Sequence, residues 1–291
     1  MGSSHLPFLC PYIYIYMKLI YSLAKRTSEP HSNIVYKTFY ISMQNARELG
    51  YEIELWGTSD AIQRLGELAD SVVNVDTFEF ELYDDIKMRI WEGMQPNEMT
   101  IDGDVILYDS QLKPDVVWLS VDSEFKELVQ IGKGILDTFN EFNPKQIIPE
   151  WDSTNTIGLS TGLVSWGMND SFKKHYIESY WKLRKWYFDN QNEMVLKNPK
   201  IHNMYPAISH IICENLLYQL VKYYGIEYKE LENNPNFSYL HAAGEAKYYG
   251  GDFKMGINVI YNELQSQPDT IKDTHKRLVD RGFKPFLQYP N

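Results

Sequence analysis

Met99-Thr100-Ile101-Asp102-Gly103-Asp104-Val105-Ile106-Leu107-Tyr108 sets two carboxylates one residue apart in an otherwise apolar run. Six of its ten positions are apolar and nearly all favour extended backbone, which predicts a buried strand with two acids at its heart. A buried carboxylate is costly unless something pairs with it, so a metal ion or a set of donors is expected close by. On a strand Asp102 and Asp104 share a face, and Gly103 lets the backbone bend or a ligand approach closely. That arrangement suits a divalent cation whose shell is completed by phosphate oxygens. The alternative is a strand end whose acids simply face water.

Upstream, Met17 to Leu23 reads as a first strand, followed by a polar loop carrying Lys25, Arg26 and Pro30. Ser32 or Asn33 caps an amphipathic helix through Leu49, which Gly50 ends. Glu52 to Trp56 is a short strand, Ser59 caps a helix to Ala69, Ser71 to Val75 is a third strand, and Leu82 to Gly93 a third helix. This β-α-β-α-β rhythm predicts an α/β fold with a mixed, mostly parallel central sheet flanked by helices. In open sheets of that kind ligands bind beyond the carboxyl ends of the strands. The acids and the 24–33 loop both arrive at that edge.

Downstream, Asp115 to Ser120 is a strand, Ser123 to Phe139 a helix, and 140–153 a loop with Pro144 and Pro149. Thr156 to Trp166 is a strand interrupted by Gly158 and Gly162, where a bulge or close approach is expected. Helices follow from Asp170 or Ser171 to about Asp189 and from Ala207 to Tyr224, with a last strand at Ile226 to Leu231. No repeat, low-complexity tract or glycine-serine linker divides the chain, so 17–291 reads as one domain. Residues 1–16 read as a leader, either a tag or other foreign sequence, or a short interfacial anchor.

The 291 residues carry a formal charge of −11, which argues against non-specific binding of nucleic acid or anionic membrane. Cys10 and Cys213 are the only cysteines, so a disulfide framework is excluded and a reducing, cytoplasmic compartment is the default. No apolar run is long enough for a transmembrane segment. Tyrosines number 22 and tryptophans 7, enough to supply flat faces for sugars or bases as well as an aromatic core.

A second informative stretch is Phe237-Ser-Tyr-Leu-His241-Ala-Ala-Gly244-Glu-Ala-Lys247. Imidazole suits a divalent metal, glycine permits close backbone approach, and lysine neutralises phosphate. The Asp-x-Asp run together with His-x-x-Gly-x-x-Lys resembles nucleotide-sugar glycosyltransferases of the GT-A (Rossmann-like) fold, especially the glycogenin and lipopolysaccharide galactosyltransferase group. The Ile-Asp-Gly-Asp-Val form is also similar to that of capsule-polysaccharide glycosyltransferase-like proteins.

The resemblance implies that Asp102, Asp104 and His241 hold Mn²⁺ or Mg²⁺, with Asp102 shared between metal and ribose, while Lys247 holds the diphosphate and Gly244 permits the turn. Ser22, Lys25 and Arg26 would meet the nucleotide, with Gly103, Ser160, Thr161 and Gly162 lining the donor site. It implies a nucleoside diphosphate sugar, mostly a UDP-sugar, as donor and a glycan or other hydroxyl as acceptor. Two departures stand out: Tyr248-Tyr249 replaces the usual Pro-Trp after the lysine, and Ser160-Thr161-Gly162 replaces an Asn-x-Gly.

For an inverting transfer a carboxylate must act as base, and Glu150, Asp152 and Glu214 are the acids to consider, with Trp151 as a stacking platform. Glu214 also reads as a helix-surface residue, and the histidines other than His241 show no metal-ligand spacing. Two other functions compete. A haloacid-dehalogenase-type phosphatase would use Asp102 as nucleophile and Asp104 as its acid/base partner, though α/β sequence precedes the acids here and the closing acidic pair is missing. A non-catalytic carbohydrate-binding protein could share the fold.

Overall fold

A computed structural model describes residues 17–24, 32–107, 118–120, 134–203, 205–230 and 239–241. Strand β1 (Lys18–Leu23) pairs in parallel with β2 (Glu52–Gly57) on one side and with β4 (Glu98–Ile101) on the other. Strand β3 (Ser71–Asn74) joins in parallel beyond β2. Beyond β4, β7 (Ser160–Val164) runs antiparallel both to β4 and to β6 (Trp118–Ser120), and β8 (Lys229–Glu230) lies parallel to β6. The order β3-β2-β1-β4-β7-β6-β8 makes a mixed, mostly parallel α/β sheet, the class that the β-α-β rhythm predicts.

Strand parity divides the core. Leu19, Tyr21, Met99 and Ile101 pack on the face covered by α1 (Ser32–Glu48) and α2 (Ser59–Leu65), where Phe39, Met43, Ala61 and Leu65 meet them. Ile20 and Val164 face the other layer, built by α3 (Asp85–Gly93), α4 (134–141), α5 (Asp170–Lys197) and α7 (Leu216–Tyr224). Thr100 also faces that layer, its hydroxyl accepting from Trp91 Nε1 at 2.9 Å. The cap of α2 is Thr58 instead of Ser59: its hydroxyl accepts from the Ala61 N–H.

The acidic stretch departs from expectation. It is not one strand: β4 ends at Ile101, Val105 N–H donates to the Asp102 carbonyl at 3.0 Å, and the chain turns through Asp102–Gly103–Asp104. Aspartate and glycine are turn formers depleted from strands, and three in succession outweigh their apolar flanks. Strand β5 (Val105–Leu107) then leaves the main sheet and pairs antiparallel with β9 (Tyr239–His241). Side chains of α1 also serve it: Ser42 donates to the Val105 carbonyl at 2.5 Å, and Asn45 to the Leu107 carbonyl. At Gly103 the ring of Phe39 fills the place a β-carbon would take. Within the described residues, then, this glycine makes room for a core aromatic.

Among the described residues no helix is long and apolar enough to cross a membrane.

Candidate functional site at the Asp102–Asp104 turn

Continuing strand parity past Ile101 turns Asp102 toward α3, and Lys87 meets it there. The ammonium lies 3.0 Å from the Asp102 carboxylate, donates to the Thr161 carbonyl at 3.0 Å and hydroxyl at 3.1 Å, and stands 3.8 Å from Asp84. Lys87 is only 3% exposed. Burial pulls its pKa down, but the charges of Asp102 and Asp84 outweigh that and the net shift is upward, so the ammonium stays charged. Asp104, 7% exposed, begins the way into β5 on the other side of the turn.

Strand β7 supplies the opposite wall. Asp102 N–H donates to the Gly162 carbonyl at 2.7 Å, so the antiparallel ladder carries Ser160, Thr161 and Gly162 to the turn. Ser22, buried at the end of β1, is the next residue after the Tyr21–Ile101 pair and so reaches the same sheet edge. Four of the expected donor-site residues with Asp102 are thereby brought together.

Glu214 joins them from a different element. The helix expected over 207–224 instead runs as α6 (Tyr205–His210), a wider π turn (Ile211–Asn215) and α7. Such turns concentrate at functional sites. Here the turn aims Glu214 at β7: the carboxylate accepts from Thr161 N–H at 3.1 Å, and its carbonyl accepts from Leu159 N–H at 3.1 Å. Glu214 is 8% exposed, which corrects the surface reading. Its other oxygen lies 2.5 Å from His210 Nδ1.

Burial disfavours both charges of that pair, but the partner charge and hydrogen bond dominate. His210 is raised to about 9 and Glu214 is lowered, so the two form an ion pair at neutral pH. Next to them Ser209 donates to Asp84 at 2.5 Å, and burial raises the Asp84 carboxyl. A bonded chain thus runs from His210 through Glu214, Thr161 and Lys87 to Asp102.

The other two acids considered as bases lie apart from this chain. Glu150 accepts from the Tyr224 hydroxyl at 2.6 Å and stands 3.7 Å from His175 Nε2. Asp152 accepts from Thr154 N–H and hydroxyl, and these bonds lower its pKa. Trp151 is no stacking platform: it is buried, its indole N–H donating to Asn140 at 2.9 Å. Lys25, Arg26, Gly244 and Lys247 lie outside the described residues. For His241 only the backbone is described, and β9 sets it opposite Val105, the residue after Asp104. Among the described residues no three His, Cys, Asp or Glu side chains form a group able to hold a metal ion.

Sequence reasoning missed Lys87, Asp84 and His210. Two signals were legible. Lys87 falls three and four residues before Ile90 and Trp91 on the buried face of α3, a position where a lysine needs a partner. His210 and Glu214 are spaced i, i+4 on one helical face.

Neither a protein-family model nor a curated protein matches the chain.

Proposed function

We propose that the chain is a metal-dependent glycosyltransferase of the GT-A type, moving a sugar from a nucleoside diphosphate, with UDP the expected nucleotide, to a hydroxyl acceptor such as a glycan. One observation carries this reading: Val105 and His241 are register partners. His241, the first residue of the His-x-x-Gly-x-x-Lys motif, thus pairs with the residue that follows the Asp-x-Asp acids, far from it in sequence.

The donor set is chemically apt for a hard divalent cation, because two carboxylates leave one turn and an imidazole belongs to the adjoining strand. Asp102, Asp104 and His241 would hold Mn²⁺ or Mg²⁺, which when bound neutralises charge building on the leaving diphosphate. The remaining work falls to the chain. Lys87 meets both Asp102 oxygens, at 3.0 and 3.1 Å, and ties the carboxylate to Thr161 on β7, fixing both before any ligand arrives. Lys247 would neutralise phosphate, with Gly244 permitting its approach. Of the three acids considered as bases, Glu214 is the one bonded into this network, and its ion pair with His210 keeps it deprotonated.

Isothermal titration with a panel of nucleotide sugars, with and without Mn²⁺, tests the proposal. Metal-dependent binding of one donor and its slow hydrolysis are the expected results. Absence of nucleotide binding in the presence of Mn²⁺ overturns it, as does trapping of an aspartyl-phosphate analogue at Asp102.

A further inference from the structure

The segment 152–159, which leads into β7, has no regular secondary structure, and Asp152, Ser153, Thr154, Thr156 and Ile157 are exposed. Such a stretch ordinarily moves more than the elements it joins. Here one buried helical run ties it down at alternate positions. Asp152 N–H donates to the Gln219 side-chain oxygen at 2.5 Å, and the Asn215 amide donates to the Asn155 and Ile157 carbonyls at 3.4 and 2.9 Å. Leu159 N–H and Thr161 N–H donate to the Glu214 carbonyl and carboxylate, each at 3.1 Å. The two amides brace each other: Gln219 Nε2 donates to Asn215 Oδ1 at 2.6 Å.

Regular helical spacing does not produce this grip. Successive residues of an α-helix stand about 100° apart and do not face one another, yet Glu214 and Asn215 both bond the same segment. Both belong to the π turn Ile211–Asn215, and Gln219 follows Asn215 at i+4 on α7.

Asn215 is fully buried and Gln219 is 4% exposed. Buried amides lower stability unless they are bonded, and an apolar contact would hold a surface loop without that liability. What these bonds fix is the far end of the segment. It runs into Ser160 and Thr161, and Lys87 donates to the Thr161 carbonyl at 3.0 Å and hydroxyl at 3.1 Å while it holds Asp102 at 3.0 Å. A shift of Thr161 is therefore passed to the Asp102 carboxylate.

We propose that Asn215 and Gln219 are positioning residues of the acidic turn: they clamp 152–157 so that Thr161 meets Lys87, and Lys87 meets Asp102, in the geometry that receives a divalent cation. The cation rests on the proposed function, whereas the clamp rests on the bonds themselves. Both amides act through Thr161 and Lys87.

The test uses Gln219→Met and Asn215→Leu, which replace each amide by an apolar chain of similar size. Thr138→Val is the control, because it removes a buried hydroxyl that bonds Gly134 and Asn198, outside this chain of contacts. Urea unfolding first checks that the variants fold, and Gln219→Met decides alone if Asn215→Leu does not. Calorimetric titration with Mn²⁺ should show affinity lowered about tenfold in Gln219→Met and less than about twofold in Thr138→Val. Equal affinity in wild type and Gln219→Met overturns the positioning role, as does an equal loss in the control. If wild type binds no Mn²⁺, the metal reading fails separately, and hydrogen exchange decides the clamp. Amides of 152–161 that exchange about tenfold faster in Gln219→Met, with those of β1 and β2 unchanged, then uphold it, and unchanged exchange at 152–161 overturns it.

Discussion

Helix α3 touches two acidic clusters that are compensated in different ways. At its first turn the Asp85 carboxylate accepts from Glu81 and Leu82 N–H groups at 2.9 and 3.0 Å, from the Tyr180 hydroxyl at 2.8 Å, and from both arms of Arg184 at 2.7 and 2.9 Å. That is a saturated anchor, joining α3 to α5 with a planar guanidinium matched to one carboxylate. Two residues further on, Lys87 serves Asp102, Asp84 and Thr161 together, and the cluster extends through Glu214 to His210. Three carboxylates, Asp84, Asp102 and Glu214, gather around one lysine and one histidine, with Asp104 two residues beyond Asp102. The first arrangement is built to hold helices; the second keeps acidic groups concentrated at a sheet edge, where the cation of the proposed function would relieve their mutual repulsion.

The largest effect expected from breaking this contrast is at Asp85. Asp85→Ala strands Arg184, the Tyr180 hydroxyl and two backbone N–H groups, and should cost about 3–5 kcal/mol in urea unfolding. Asp104→Ala should do the opposite in kind. It should lower Mn²⁺ affinity about 10–100-fold by calorimetry, while changing unfolding free energy by less than about 1 kcal/mol. A large stability loss with unaltered metal binding would move Asp104 into the anchoring class.

Gly103→Ala meets the Phe39 ring and should destabilise by about 1–3 kcal/mol, with partial recovery when Phe39→Leu is added. Failure of the second substitution to recover stability would show that the glycine serves the turn and not the packing.

The smallest effect is the pH dependence of the His210–Glu214 pair. His210 binds its proton more tightly when folded, so its contribution is complete below its ordinary value of 6.5 and is lost as pH climbs through about 9. Glu214 has a lowered pKa, so its contribution is present above 4.5 and is lost as pH falls through the depressed value. Urea midpoints of wild type should therefore decline from pH 6.5 to 9 and again in acid. His210→Asn should flatten the alkaline decline, and an unchanged slope would remove the ion pair from the account.

Much of the frame was legible because local patterns and burial agree. The strand readings at 17–23 and 52–56 and the Gly50 stop agree with β1, α1 and β2 within a residue or two. The 100–108 run misled because its apolar flanks suggested continuity, while Asp102-Gly103-Asp104 held a turn that only the departure of β5 toward β9 made evident. Glu150 and Asp152 suited a catalytic loop as residue types, yet their partners tie them to Tyr224, His175 and Thr154. Glu214 could not be distinguished from a helix-surface acid, since a π turn shifts facing without changing composition.

By itself the sequence determined the α/β class, the two spaced carboxylates and the histidine-lysine motif, because periodicity, turn chemistry and residue type are local properties. Only the tertiary structure decided which groups share a site. Lys87 reaches Asp102 through helix-on-sheet packing, Thr161 and Gly162 through antiparallel register, and His241 is set opposite Val105 by a two-stranded pairing. Those contacts join residues distant in sequence, and their energies depend on burial and on partners that no single segment contains.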